Sequence, residues 1–530
     1  MKATNQAVEL SAIELAIFLS RVEAICQEMG SVLRQAALSP NIKDRLDFSC
    51  ALFDGDGELF AQAAHIPVHL GSMAYAMRDL VKDIDWQPGD ALLVNDPYLG
   101  GTHLPDVTLI APAFLDGQLL GFVANRAHHA NIGASTPGSM PISTSLDEEG
   151  IVIPPTLIAR GGEPVQSAMQ TVAAIADGDL AADLQAQMSA NRVGVLRLCT
   201  LVSNTGAERF FAGIKQVNDY GERVARSVIN GLPAGRYEFA DFLDDDGCGT
   251  KDIAIRASLE VGEQGVHVDF TGTSPAVRGN LNCPLSVAAA AVFYALRCIL
   301  PEKTPACAGA FKCVTLSAPA GCLVNAERPA AVAAGNVETS MRIVDVVLGA
   351  LGQALPGLMP AASQGTMNNI AMGNHKVNRR WDYYETMAGG TGGHPDAPGV
   401  SCVHSHMTNT LNTPIESIEM HYPLRVLEYS RRQDSGGQGA RPGGDGLCRE
   451  LEFLEPAEVT LITDRRSRAP WGTAGGEPGA PGRNLLDGKE VPGKCQLSVQ
   501  PGQRLRIESP GGGGHGSFTG STGSDTAKVF

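Results

Sequence analysis

Asn95-Asp-Pro-Tyr-Leu-Gly-Gly-Thr-His-Leu-Pro-Asp-Val107 opens a stretch that continues through an apolar run to Leu115, the pair Asp116-Gly117, a second apolar run from Leu119 to Ala124, and Asn125-Arg-Ala-His-His129. Asp-Gly between two apolar runs signals a β-hairpin, because a two-residue turn needs positive φ at both positions. With these two residues as the turn, facing positions have numbers that add to about 233, which sets Asp106 opposite Ala127 and within about one residue of His128. The Gly100-Gly101 pair lets the backbone turn sharply, so that His103 and Asp106 aim at one point. The hairpin base is therefore expected to gather His103, Asp106 and His128. Imidazole nitrogen and carboxylate oxygen are ligands that zinc, manganese and iron accept, and a catalytic site commonly joins three protein ligands with an open position.

Working outward, Asp44-Arg-Leu-Asp47 precedes the strand-like Phe48 to Phe53, and either aspartate is placed to add a fourth ligand. His65-Ile-Pro-Val-His69 brings two histidines near Gly71-Ser72. His404-Ser-His406 alternates like a strand, which would set both rings on one face, either as a polar pocket wall or as a satisfied buried network.

The chain has 530 residues, too many for one core, and two or three domains are expected. Residues 1–232 open with a helix capped by Ser11 and Glu14, pass through β-like segments and close with two helical patterns. Residues 233–425 mix strands with helices near 284–300 and 341–354, and residues 426–530 form a Gly-rich β region. The fold class read from this is multidomain α+β, with mixed and antiparallel sheets and packed helices. Pro510-Gly-Gly-Gly-Gly-His-Gly516 has the composition of a mobile loop or tail.

The formal charge of -16 repels phosphate backbones, and aromatics at 5% give no base-stacking platform, so nucleic acid is excluded as a partner. The first apolar segment is interrupted by Glu14, Arg21, Glu23 and Glu28, unlike a signal peptide, and no apolar stretch reaches the ~18 residues of a membrane span. The expectation is a cytoplasmic protein with no membrane contact. Its 12 cysteines form no CxxC pair and read as reduced core residues. None of Gly389 to Gly393, Gly436 to Gly446 or Gly511 to Gly514 is followed by the Lys-Ser/Thr of a P-loop, so ATP, if used, is held elsewhere. A G-x-S-x-G nucleophile elbow is also absent.

Several segments together resemble the hydantoinase B family. These are Ser39 to Cys50, Ala64 to Met73, Asn95 to Asp106, Asp269-Phe-Thr-Gly-Thr-Ser274, Gly335-Asn-Val-Glu-Thr339 and His406 to Pro414. The family includes the B-type subunits of ATP-dependent N-methylhydantoinases, the corresponding half of 5-oxoprolinase, caprolactamase, and related subunits of acetone and acetophenone carboxylases. The resemblance covers nearly the whole chain. It implies a hetero-oligomer, α2β2 or larger, in which an A-type hydantoinase partner binds ATP and phosphorylates the substrate's amide or enol oxygen, and the B-type chain completes the reaction at a divalent metal. Zinc or manganese is expected there, with iron as a third choice. The ligands implied are His103, Asp106 and His128, joined by Asp44 or Asp47; at position 44 most relatives are expected to carry glutamate. Phosphorylation turns an amide oxygen into a leaving group, and His129, His65 or His69 could carry protons to the departing nitrogen. The substrate implied is a hydantoin, 5-oxoproline or a related lactam. A ketone carboxylase component and a non-catalytic scaffold for the A-type partner are the alternatives.

Overall fold

The computed structural model describes residues 9–63, 65–168, 179–375 and 380–517. The first helix, α1 (Ala12–Ala36), starts as its sequence dictates: Ser11 accepts from the Glu14 backbone N–H while the Glu14 carboxylate accepts from that of Ser11. Strands β1 (Phe48–Phe53) and β2 (Leu59–Gln62), helix α2 (Pro67–Val81), and strands β3 (Ala91–Val94), β4 (Asp106–Leu115), β5 (Gln118–His128), β6 (Thr156–Arg160) and β7 (Glu163–Pro164) follow. The strands form one antiparallel sheet in the order β2-β1-β5-β4-β3-β6-β7. Its central strands are buried on both faces. Cys50, Leu52, Val123 and Ala127 face a core shared with α1 and the helices α3 (Asp179–Thr205) and α4 (Ala207–Ile229), whereas Ala51, Phe53, Phe122 and Ala124 face α2.

Asp116 (φ 50°) and Gly117 (φ 79°) make the β4–β5 turn, as Asp-Gly requires. The register differs by one residue from the sequence expectation. Leu120 is an extra residue between the Phe114–Leu119 and Ala113–Gly121 pairs, so Asp106 stands directly opposite His128.

A second sheet, in the order β11-β10-β9-β8, is built from β8 (Gly235–Asp245), β9 (Lys251–Gly262), β10 (Gly265–Asp269) and β11 (Val314–Ser317). Helices α5 (Leu285–Arg297) and α6 (Ser340–Ala354) lie where the sequence set them and share its core. A Cβ at Gly71 of α2 would lie 2.6 Å from the Ala290 Cα of α5, so only glycine permits this crossing.

Strands β12 (Asn369–Asn374) and β13 (Trp381–Glu385) pair with β16 (Ala457–Ile462) and β19 (Lys494–Val499), so hydrogen bonding crosses residue 425. The last sheet joins β14 (Leu424–Arg432), β15 (Gly446–Phe453), β17 (Arg483–Leu486), β18 (Lys489–Glu490) and β20 (Arg504–Glu508) in the order β14-β15-β20-β17-β18. The molecule is thus multidomain α+β with a β-rich C-terminal region.

The Gly511 to Gly514 run corrects its sequence reading as a mobile loop or tail. These glycines are buried and threaded between other glycine-rich segments. The backbone N–H groups of Gly512, Gly513 and Gly514 donate to the carbonyls of Gly444, Ala362 and Glu477 at 2.9, 2.8 and 2.8 Å, and Gly512 accepts from Gly437 at 2.8 Å. A Cβ would fall 1.9 Å from the Thr391 oxygen at position 512 and 2.0 Å from the Trp471 oxygen at 513. Glycine serves close packing here.

Candidate metal centre

His103, Asp106 and His128 come together beneath α2, with ligand atoms all within 4.8 Å of one another. Period-two alternation puts Asp106 at the start of β4 and His128 at the end of β5 on the α2 face. Between β3 and β4, Gly100 (φ 106°) turns the chain, and a Cβ at Gly101 would meet the Asn95 oxygen at 2.5 Å. This tight loop delivers His103, which is fully buried.

The two oxygens of Asp106 have different surroundings. Oδ2 accepts from Thr102 Oγ1 at 2.5 Å and Asn336 Nδ2 at 3.3 Å, and His69 Nε2 is 3.2 Å away. Oδ1 instead faces His103 Nε2 at 3.3 Å and His128 Nδ1 at 3.2 Å. Bonds of ~2.0–2.1 Å to a tetrahedral ion put its ligand atoms about 3.3–3.5 Å apart. His103 Nε2 and Asp106 Oδ1 have no hydrogen-bond partner although buried, a cost that an ion between them and His128 Nδ1 would remove. The donor set therefore fits a divalent cation.

Outer contacts orient these groups. His103 Nδ1 donates to the Ala333 carbonyl at 3.0 Å, which turns Nε2 toward Asp106. Residues 332 and 333 are in turn held by Glu149, whose Oε1 accepts from the Val332 and Ala333 N–H groups, each at 2.9 Å, and from Ser143 Oγ at 2.7 Å. The Tyr384 ring stacks on His128 at 4.7 Å, and the buried Arg45 guanidinium sits 5.0 Å from the same ring.

The electrostatics follow. Burial pulls the His103 imidazole down, but the Asp106 charge and hydrogen bonding outweigh it and hold the ring above its usual value. Burial pushes the Asp106 carboxyl up, yet His103, His69 and its hydrogen bonds hold it well below the carboxylate range. The His128 ring is lowered, chiefly by burial. Burial raises Glu149 to about 7.

The other sequence candidates separate. Asp47 is at the site: its Oδ1 is 3.9 Å from His69 Nε2, its Oδ2 3.6 Å from Arg45, and its carbonyl accepts from the His128 N–H at 3.0 Å. Asp44 is not, because it caps the short helix Pro40–Lys43 and approaches Ser417 Oγ at 3.4 Å. Leu46 (φ 58°) reverses the chain between the two aspartates. His69 joins the site through Asp106. His65 does not: its Nδ1 accepts from the Cys50 N–H at 3.0 Å, its ring meets Phe48 edge-on, and burial lowers it to about 4. His129 points to the opposite face, where Nε2 lies 3.0 Å from Gln187 Oε1 of α3. Alternation across a strand explains this, since adjacent histidines cannot share a face. His404 and His406 also part: His406 has φ 55° and lies 3.4 Å from the Tyr294 hydroxyl, whereas His404 lies in the field of Arg45 and Glu385. Sequence reasoning misses Tyr384, Asn336 and Glu149 as site residues, although Asn336 lies within the family-like segment Gly335 to Thr339.

Comparison with known proteins agrees with this architecture. Residues 11–518 match the Hydantoinase B/oxoprolinase family model. The chain is 37% identical over 534 residues to 5-oxoprolinase of Dictyostelium discoideum, covering 97% of this chain and 41% of that protein. It is 30% identical over 537 residues to a putative B-type subunit of the D-/L-hydantoinase of Pseudomonas sp. NS671, covering 96% of this chain and 90% of that one. Among solved structures it is similar to the ATP-dependent caprolactamase of Pseudomonas jessenii, with TM-score 0.89, 27% identity, and 96% and 91% of the two chains covered. The chain belongs to the hydantoinase B/oxoprolinase family.

Proposed function

We propose that this chain is the metal-bearing subunit of an ATP-dependent cyclic-amide hydrolase, and that a separate A-type polypeptide binds ATP and phosphorylates the substrate. The buried His103, Asp106 and His128 constellation carries the reading, since its ligand atoms converge and His103 Nε2 and Asp106 Oδ1 are unpartnered. The coverage of relatives supports a partner: the chain matches 41% of a 5-oxoprolinase but 90% of a protein named as a hydantoinase subunit. The relatives' names, 5-oxoprolinase, hydantoinase and caprolactamase, support a five- to seven-membered cyclic amide as substrate.

An unactivated amide resists water, and phosphorylating its oxygen creates the leaving group that hydrolysis needs. A divalent ion at the site would supply Lewis acidity and lower the pKa of water toward neutrality. The chain's own residues do the rest. Asp106 presents one oxygen while Thr102, His69 and Asn336 hold the other. His69 Nε2, between Asp106 and Asp47, is placed to hold a proton for the departing ring nitrogen. Burial of all three ligands to 2% exposure or less keeps bulk water from the reacting atoms.

The test is to co-purify the chain with its A-type partner, measure bound metal, and follow ATP consumption with 5-oxoproline, hydantoins and caprolactam, with and without bicarbonate. Ring opening that needs ATP, partner and metal is expected. Ring opening without ATP and partner would overturn the proposal, and acid formation that requires bicarbonate would mark a carboxylase instead.

A further inference from the structure

We propose that a second cavity, separate from the metal centre, binds a small molecule with an aliphatic body and a carbonyl head, whether acid or amide. The cavity, about 650 Å³, lies where the ends of α4, α5 and α6 meet the segment around His406. That volume suits a small ligand. Val228, Leu232, Leu348, Leu355 and Met359 form apolar walls, and Leu358, 54% exposed, marks the mouth. Such walls take an alkyl or alicyclic body and reject a sugar or nucleotide.

The polar end is Tyr294, backed by His406 and Asp345. The tyrosine hydroxyl is 3.4 Å from His406 Nδ1, and His406 Nε2, buried and without a hydrogen-bond partner, is 3.4 Å from Asp345 Oδ1. Asp345 is anchored by Arg465 at 2.9 Å. Cys298, whose thiol is a weak hydrogen-bonding group, lines the cavity beside the hydroxyl. At 3.4 Å the contact with Nδ1 is longer than a well-made hydrogen bond, so both groups beside the hydroxyl are poor partners for it. A carbonyl oxygen is the acceptor that completes it. His406 holds φ 55°, a conformation a histidine seldom adopts, and its ring meets Tyr294 edge-on at 5.7 Å at the cavity wall. Neither Tyr294 nor His406 contacts the metal-site trio, so this inference stands apart from the proposed hydrolase activity.

Calorimetric titration of the intact chain with octanoate and, separately, octanamide tests it. Saturable one-to-one binding of at least one probe is expected, and comparison of the two arms identifies the head. Tyr294→Phe should weaken that binding at least tenfold, and Leu348→Trp, which fills the cavity, should abolish it with bound metal unchanged. Should Leu348→Trp misfold, Val228→Trp fills the same cavity from α4. No saturable binding of either probe, or binding that survives the filled cavity, overturns the proposal; binding indifferent to Tyr294→Phe overturns the assigned head.

Discussion

At Asp106 one oxygen is consumed by Thr102, His69 and Asn336 while the other is left to two imidazoles, and this division explains why carboxylate and rings meet in one orientation. Orientation of His103 depends on the Ala333 carbonyl, and hence on Glu149. Glu149→Ala is expected to weaken metal binding about 10–100-fold and to destabilise the fold by about 2–5 kcal/mol, because two buried N–H donors lose their acceptor. Glu149→Gln keeps an acceptor oxygen and should restore most of both, as read by metal titration and denaturant melts. Burial raises the Glu338 carboxyl from 4.5 to about 8. Between those values the folded state holds a proton that the unfolded chain has lost, so its contribution favours folding below pH 4.5 and fades as pH rises toward 8. Glu338→Gln should flatten the fall in stability between about pH 5 and 8, measured by melts across that window. Residue identity revealed the trio because spacing and turn chemistry are local. It could not choose Asp47 over Asp44, since the choice rests on a single positive φ at Leu46.

Among the elements, the β4–β5 hairpin shows what a turn motif specifies and what it leaves open. Asp116-Gly117 fixed the turn. The extra residue at Leu120 is set by a neighbour in space: next to it, Gly121 (φ 143°) passes so close to β1 that a Cβ would lie 2.2 Å from the Phe53 oxygen. Gly121→Ala should therefore shift the hairpin register and impair metal binding, detectable as reduced metal content in folded protein. The glycine array is the larger omission of sequence reading. Composition there is that of a flexible segment, and only the neighbouring backbones show that side chains are excluded by contact. Gly513→Ala should destabilise by more than about 4 kcal/mol, the range reserved for severe backbone clashes. Unchanged melting of that variant would contradict the packing described.

For the whole molecule, a buried ion network ties the central and C-terminal parts together. Asp464 receives Arg342 at 2.8 Å and Lys494 at 2.7 Å, and Arg465 reaches Asp241 and Asp345 at 2.7 and 2.9 Å. These residues are scattered from β8 to β19, and no local pattern in the sequence announces their meeting. Removing one partner strands a buried charge, so Arg465→Ala is expected to cost about 3–5 kcal/mol in chemical denaturation. Secondary structure and α+β class were legible because caps, apolar periods and Asp-Gly act over a few residues. The pairing of β12 with β16 and the convergence of α2, β4 and β5 on one centre are long-range, and only the hairpin gave a local clue. Among the described residues no helix is long and apolar enough to cross a membrane.

The most direct measurement of the central claim is the divalent-metal content of the purified chain and its Asp106→Asn variant, determined by elemental mass spectrometry, with thermal melts confirming that both are folded. The account predicts close to one ion per wild-type chain and nearly none in the folded variant. Equal metal content in the two, or a wild-type chain that takes up no divalent ion under saturating conditions, would contradict it.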